Sequence, residues 1–197
     1  MIKFFDIFKN DKILHLKILN TIKKTFKKGD FIQGGHTKIF EKNFSKFVNA
    51  KYSVGCANGT DALILALKSL DLAKNSEVIL PAMTYCSTIF AVIQSNLKPV
   101  LVDIGVNSPT IDINQIKKKI TKKTKVILPV HLYGSAINLE LIRKLLKKYK
   151  QKIFIIDDCA QAHGALDDKK RHIGSTSAIS CFSFFSCSRL ANILSQT

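Results

Sequence analysis

Residues 153–165 read Ile153-Phe154-Ile155-Ile156-Asp157-Asp158-Cys159-Ala160-Gln161-Ala162-His163-Gly164-Ala165. Four apolar residues, rich in β-branched types, run straight into two carboxylates and then a segment of small residues. The apolar run is strand-sized and has no polar alternation, which marks a strand buried on both faces. At its end a charge is expensive unless it is paired. A carboxylate there suits a partner cation, either a metal ion or a protonated ring nitrogen. The metal reading lacks a second clear ligand cluster, so the nitrogen partner is preferred.

Similar runs recur on both sides of this segment. They are Ser53–Cys56, Val78–Leu80, Val100–Val102, Val126–Val130 and Ile179–Phe184, with helical spacing between them at about 59–71, 84–95, 112–120 and 137–149. Strands alternating with helices predict βαβ units and a mostly parallel sheet covered on both faces. Right-handed crossovers then collect the strand C-terminal ends on one edge, where ligands bind in such sheets. Further upstream, residues 11–28 and 37–48 carry apolar positions at helical spacing.

The residues at the strand ends are therefore the ones that matter. Cys56-Ala57-Asn58-Gly59-Thr60-Asp61 leads from an apolar run into a helix expected over Ala62–Leu70. Free amides at a helix start form an anion site, with Gly59 allowing close approach and the Thr60 hydroxyl adding a bond. Simple capping by Asn58 or Thr60 explains the segment equally well. Pro81-Ala82-Met83-Thr84-Tyr85 ends the next run. Tyr85 there can stack on a flat ring or serve as a core or rim aromatic. His131, one residue beyond Val126–Val130, reads as a hydrogen-bonded structural residue.

Composition bounds the rest. The 197 residues are 46% hydrophobic, enough for a substantial core. No apolar stretch approaches the roughly 20 residues of a membrane span, and the N-terminus does not read as a secretory signal. Five cysteines, with no CxxC pair, fit small buried hydrophobes in a reducing cytoplasm better than disulfides or zinc. The net charge of +17 comes from 31 basic and 14 acidic residues. The excess is mostly lysine, without interleaved aromatics, and reads as a solvated surface rather than a nucleic-acid interface.

Taken together, the motifs resemble the DegT/DnrJ/EryC1/StrS family of nucleotide-sugar aminotransferases. The match runs in order through a Gln-Gly-Gly turn and FExxF-like helix (Gly34–Phe47), ANGTDAL, PAMTY, PVLVDI, PVHLYG, IDDCAQAHGA and CFSFF. The resemblance implies the large domain of an aspartate-aminotransferase-like, pyridoxal-phosphate-dependent transferase: α/β, three layers α/β/α, with a mostly parallel sheet. The expected organisation is an N-terminal helical segment (1–30), an incomplete cofactor-binding large domain (31–185) and an aberrant tail (186–197), truncated before the small C-terminal domain.

The resemblance also assigns roles. Gly59, Thr60 and Ser183 would hold the cofactor phosphate, and Tyr85 would stack on the pyridine ring. Asp158 would pair with the pyridine nitrogen, Gln161 would sit near the ring hydroxyl, and His163 would support that corner. Asp157 reads as a cap or supporting acceptor. The intact family implies a nucleotide-sugar substrate, an amino-acid donor such as glutamate, a homodimer and a cytoplasmic location. Five residues after Ser183, where the family carries its cofactor-anchoring lysine, this chain has Ser188, and no lysine follows Lys170. A serine hydroxyl cannot take over that lysine's attachment or proton-shuttling tasks. The expectation is an inactive family member; the competing one is a non-catalytic module that binds the cofactor or a nucleotide sugar beside a full-length homologue.

Overall fold

The computed structural model describes residues 12–29, 31–32 and 34–184. The chain divides into two compact units, Met1–Phe44 and Ser45–Thr197. The first contains α1 (Lys12–Lys28) and most of α2 (Gly35–Phe47), both at the positions their apolar spacing predicts. Within it the Phe40 and Phe44 rings, one helical turn apart, stack at 5.7 Å. Among the described residues no helix is long and apolar enough to cross a membrane.

The second unit is built as successive strand–helix units. Its elements are α3 (Gly59–Lys68), β1 (Glu77–Pro81), α4 (Cys86–Gln94), β2 (Lys98–Val102), α5 (Ile113–Lys119), β3 (Thr124–Ile127), α6 (Leu139–Leu146), β4 (Phe154–Asp158) and β5 (Ile179–Cys181). The five strands form one sheet in the order β2-β1-β3-β4-β5. Every neighbouring pair is parallel. The order reverses direction between β1 and β3, which opens a crevice at the strand C-terminal ends.

The three layers follow from the period of two along each strand. Val78 and Leu80 of β1, Val126 of β3, Ile156 of β4 and Cys181 of β5 pack with Leu63 and Leu67 of α3 and Ala91 and Val92 of α4. The alternate residues Ile79, Ile127 and Ile155 pack with Ile116 of α5 and Ile142 and Leu145 of α6. In α6 the buried positions are Leu139, Ile142 and Leu145, so only one stripe faces the sheet. Each such leucine or isoleucine adds roughly 1.5–3 kcal/mol by leaving water.

Four details differ from the sequence reading. Ser53–Cys56 is not part of the sheet, and Val54 is exposed. In the run Val126–Val130 the regular strand ends at Ile127; Leu128 still donates to the Ile79 carbonyl at 2.8 Å, and Pro129, with no N–H to donate, only accepts from the Asp158 N–H at 2.9 Å. Val130 then forms only an isolated bridge to Asp158. Strand β5 stops at Cys181 instead of Phe184. Helix α3 begins at Gly59, where the spacing over 59–71 predicts it and three residues before the Ala62 start read from the turn motif.

Glu77 ties together the opposite, N-terminal edge of the sheet. It is buried and accepts bonds from Thr121, Thr124 and Lys98. The Thr121 hydrogen bond leads in holding its carboxyl below the usual range, with Lys98 adding to it against the cost of burial. A depressed folded-state value stabilises the fold above the unfolded pKa of about 4.3, and that contribution is lost as pH falls through the folded value. The difference in melting temperature between wild type and Glu77→Gln should therefore be largest near neutrality and shrink below about pH 4. A pH-independent difference would show that the ionised carboxylate is not what stabilises this edge.

Candidate active site

The N-terminus of α3 opens on the strand C-terminal edge. Asn58 caps it: Oδ1 accepts from the Asp61 N–H at 2.9 Å, and Nδ2 donates to Asp61 Oδ2 at 2.9 Å. The Ala62 N–H is the first to find an intrahelical acceptor, the Asn58 carbonyl. The Gly59 and Thr60 amides thus lie in the open turn, where an anion is stabilised by N–H groups and the helix dipole. Capping and anion binding are compatible here, since Asn58 uses only the Asp61 amide.

Ser183, beyond the end of β5, lies against this turn. A Cβ added at Gly59 would sit 2.8 Å from Ser183 Cβ and 3.2 Å from its hydroxyl. Only glycine lets the serine come this close, so helix start and hydroxyl form one cup.

Asp157 and Asp158 point to opposite faces of β4. Asp158 shares its face with Ile156, on the side of α3 and α4. Its Oδ2 accepts from the Thr88 hydroxyl of α4 at 2.9 Å, and its Oδ1 accepts from the Ala160 N–H at 3.1 Å. The residue is 5% exposed. Burial raises its carboxyl above the usual value, against the Ala160 and Thr88 hydrogen bonds that favour the charged form. A cationic partner would favour the charged form against that burial.

Asp157 lies on the other face, fully buried with His131. His131 Nδ1 accepts from the Ile137 N–H at 3.1 Å, so the proton is on Nε2, which donates to Asp157 Oδ2 at 3.3 Å. Ser177 donates to the other carboxylate oxygen. Burial works against the Asp157 charge, but the hydrogen bonds from His131, Ser177 and Ser180 outweigh it and keep its carboxyl below the usual range.

The other predicted residues are arranged around these. Tyr85 stands at the N-cap of α4, its side chain 68% exposed and making no capping bond. Its carbonyl accepts from the Thr88 N–H. Gln161 Oε1 accepts from the Tyr133 N–H at 2.8 Å, where the chain turns through a left-handed Tyr133. The His163 ring packs against Phe182 at 5.3 Å and Phe184 at 5.0 Å, the two residues flanking Ser183. Gly59 is thus brought against Ser183, and Asp158 is tied to the α4 turn that carries Tyr85. No side-chain bond joins Tyr85 to Asp158. Ser188 lies outside the described residues.

Residues 13–192 match the model of the DegT/DnrJ/EryC1/StrS aminotransferase family. The chain belongs to that family. A dTDP-3-amino-3,6-dideoxy-alpha-D-galactopyranose transaminase of Aneurinibacillus thermoaerophilus is 40% identical over 93% of this chain and 50% of its own length. A UDP-2-acetamido-2-deoxy-3-oxo-D-glucuronate aminotransferase of Pseudomonas aeruginosa is 36% identical over 94% of this chain and 51% of its own. The crystal structure of S. venezuelae DesV in complex with a ketimine intermediate superposes with a TM-score of 0.87 at 33% identity, covering 93% of this chain and 49% of DesV. The chain spans about half the length of the relatives it matches.

In this family member a second cluster also has ligand-type atoms: His131, Asp157 and Cys159 converge within 4.8 Å. Both His131 nitrogens are already engaged, and burial pushes the Cys159 thiol well above its usual pKa. The cluster therefore ties β4 to the loop after β3 and is poorly suited to a metal. Sequence reasoning missed Thr88, Thr84 and Ser177. Thr88 carried a signal: it is the one hydroxyl among the buried α4 positions Thr88, Ala91 and Val92.

Proposed function

We propose that this chain carries the cofactor-binding half of a pyridoxal-phosphate-dependent sugar aminotransferase site. The observation that carries the reading is Asp158, a buried carboxylate whose protein partners are a hydroxyl and an amide rather than a cation. The donor set fits the cofactor. At the phosphate end stand the Gly59 and Thr60 amides and Ser183, around a position where a Cβ would not fit. At the ring end stands Asp158, suited to a protonated pyridine nitrogen, with Tyr85 exposed for stacking and Gln161 and His163 at the ring-hydroxyl corner. When bound, pyridoxal phosphate supplies the electron sink that transamination needs.

The full-length activity we propose is amino transfer from an amino acid, glutamate in the first instance, to a keto-sugar nucleotide for surface polysaccharide synthesis. The proposed assembly is a homodimer and the proposed compartment the cytoplasm. For the chain in hand we propose non-covalent cofactor binding without turnover, because residue 188 is serine. Retention of the cup without the lysine also favours a second reading, a cofactor- or nucleotide-sugar-binding module beside a full-length homologue.

Two measurements on the 197-residue chain test this. Titration with pyridoxamine phosphate should quench the ligand's fluorescence saturably, and competition by inorganic phosphate should reverse it. Borohydride reduction in the presence of pyridoxal phosphate should leave no labelled peptide containing residue 188. Absence of saturable binding would remove the cofactor reading; a stable adduct at 188 would remove the proposed lack of turnover.

A further inference from the structure

We propose that Thr88, backed by Thr84, is a positioning residue that orients the Asp158 carboxylate toward a cationic ring nitrogen; this rests on the cofactor reading above. Thr88 is 1% exposed, and its hydroxyl lies 2.9 Å from Asp158 Oδ2 and 2.8 Å from Thr84 Oγ1. The carboxylate can only accept, so the single Thr88 proton goes to Asp158. Thr84 must then donate to Thr88. The result is a one-way relay, Thr84 to Thr88 to Asp158, in which each bond polarises the next.

The relay crosses the sheet order. Thr84 and Thr88 belong to the loop and helix after β1, whereas Asp158 ends β4, two strands away. With Ala160 donating to Oδ1, each carboxylate oxygen has one donor, which fixes the rotation of the group. The remaining lone pairs are thereby directed before any ligand arrives, so that orientation is not lost as entropy on binding.

Other ionisable groups face Asp158 from the surrounding elements. They are Asp157 and Cys159 on its own strand segment, Cys181 on β5 and His131 on the loop after β3. None of these groups contributes a side-chain hydrogen bond to the Asp158 carboxylate among the described residues, whereas Thr88 does. Loss of the Thr88 donor removes a bond to the charged form, which raises the pH at which Asp158 takes up a proton.

The test is pyridoxamine phosphate binding to the full chain across pH, in wild type, Thr88→Val, Thr88→Ser and Thr84→Val. Thr88→Val should weaken binding about tenfold, the usual scale for a hydrogen bond to a charged group. The acid limb of its binding profile should move to higher pH. Thr88→Ser should restore both, and Thr84→Val should give a smaller loss, about threefold, in the same direction. Inorganic phosphate affinity should stay unchanged in every variant. If wild type binds and Thr88→Val binds with the same affinity and pH profile, the relay is overturned. Serine failing to rescue would also overturn it, because shape rather than the hydroxyl would then matter. Should Thr88→Val not fold, Thr84→Val decides: an unchanged profile overturns the relay. No binding by wild type at any pH would instead overturn the cofactor reading itself.

Discussion

His131→Ala should lower the unfolding free energy by about 3 kcal/mol, the scale for leaving a buried carboxylate and a buried amide without their hydrogen-bond partner. His131 and Asp157 are both fully buried and hydrogen-bonded to each other. The truncation leaves Asp157 with only its serine donors and strands the Ile137 N–H that His131 Nδ1 now accepts. Burying a carboxylate without its partner costs more than the cavity left by an imidazole. Since whole domains are stable by about 5–15 kcal/mol, the variant should melt far below wild type in urea. His131→Gln, which can place a donor toward Asp157, should recover part of the loss. A shift under about 1 kcal/mol for the alanine variant would mean that Asp157 finds another partner or takes up a proton.

Gly59→Ala should weaken pyridoxamine phosphate binding by one to two orders of magnitude, the penalty expected for misplacing a binding group by about 1 Å. Two effects compete. Alanine is the better helix former by about 1 kcal/mol in a helix interior, but Gly59 is the first residue of α3, where that gain is smaller. Against it stands a 2.8 Å approach to Ser183 Cβ, close to the serine backbone and not relieved by a side-chain rotation. Helix start and serine must separate, and the cup opens. The melting temperature should change little while affinity falls. Unaltered affinity would show that Ser183 is not part of the anion site.

Much of this was legible in the sequence because it depends on local pattern. The runs around Val78 and Ile153 became β1 and β4, since a continuous apolar run suits a strand covered on both faces, and the run around Val100 became the edge strand β2, with Leu101 exposed. The helices α1 to α6 followed from spacing, and the family from seven short motifs in order. The failures were also local in cause. Ser53–Cys56 has strand composition but lies outside the described five-stranded sheet, since composition does not choose a strand's neighbours. Pairing in the run after β3 becomes one-sided at Pro129, which accepts from Asp158 but has no N–H to donate.

The sequence by itself determined the class of sheet, the position of the strand ends, the family and the serine at 188. Local pattern could not separate Asp157 from Asp158, which are adjacent and chemically identical; the resemblance assigned Asp158 to the ring nitrogen without giving a physical reason. Only the tertiary structure supplied that reason. The two-residue pleat of β4 turns Asp157 toward His131 and Ser177, whose donors occupy both its oxygens deep in the protein, and Asp158 toward α4, at the strand-end edge, where it meets a hydroxyl and an amide. Thr88 and Ser183 acquired their places in the same way. Their partners are 70 and about 124 residues away, and the packing of α3 and α4 on one face of a parallel sheet brings them together, which no local pattern encodes.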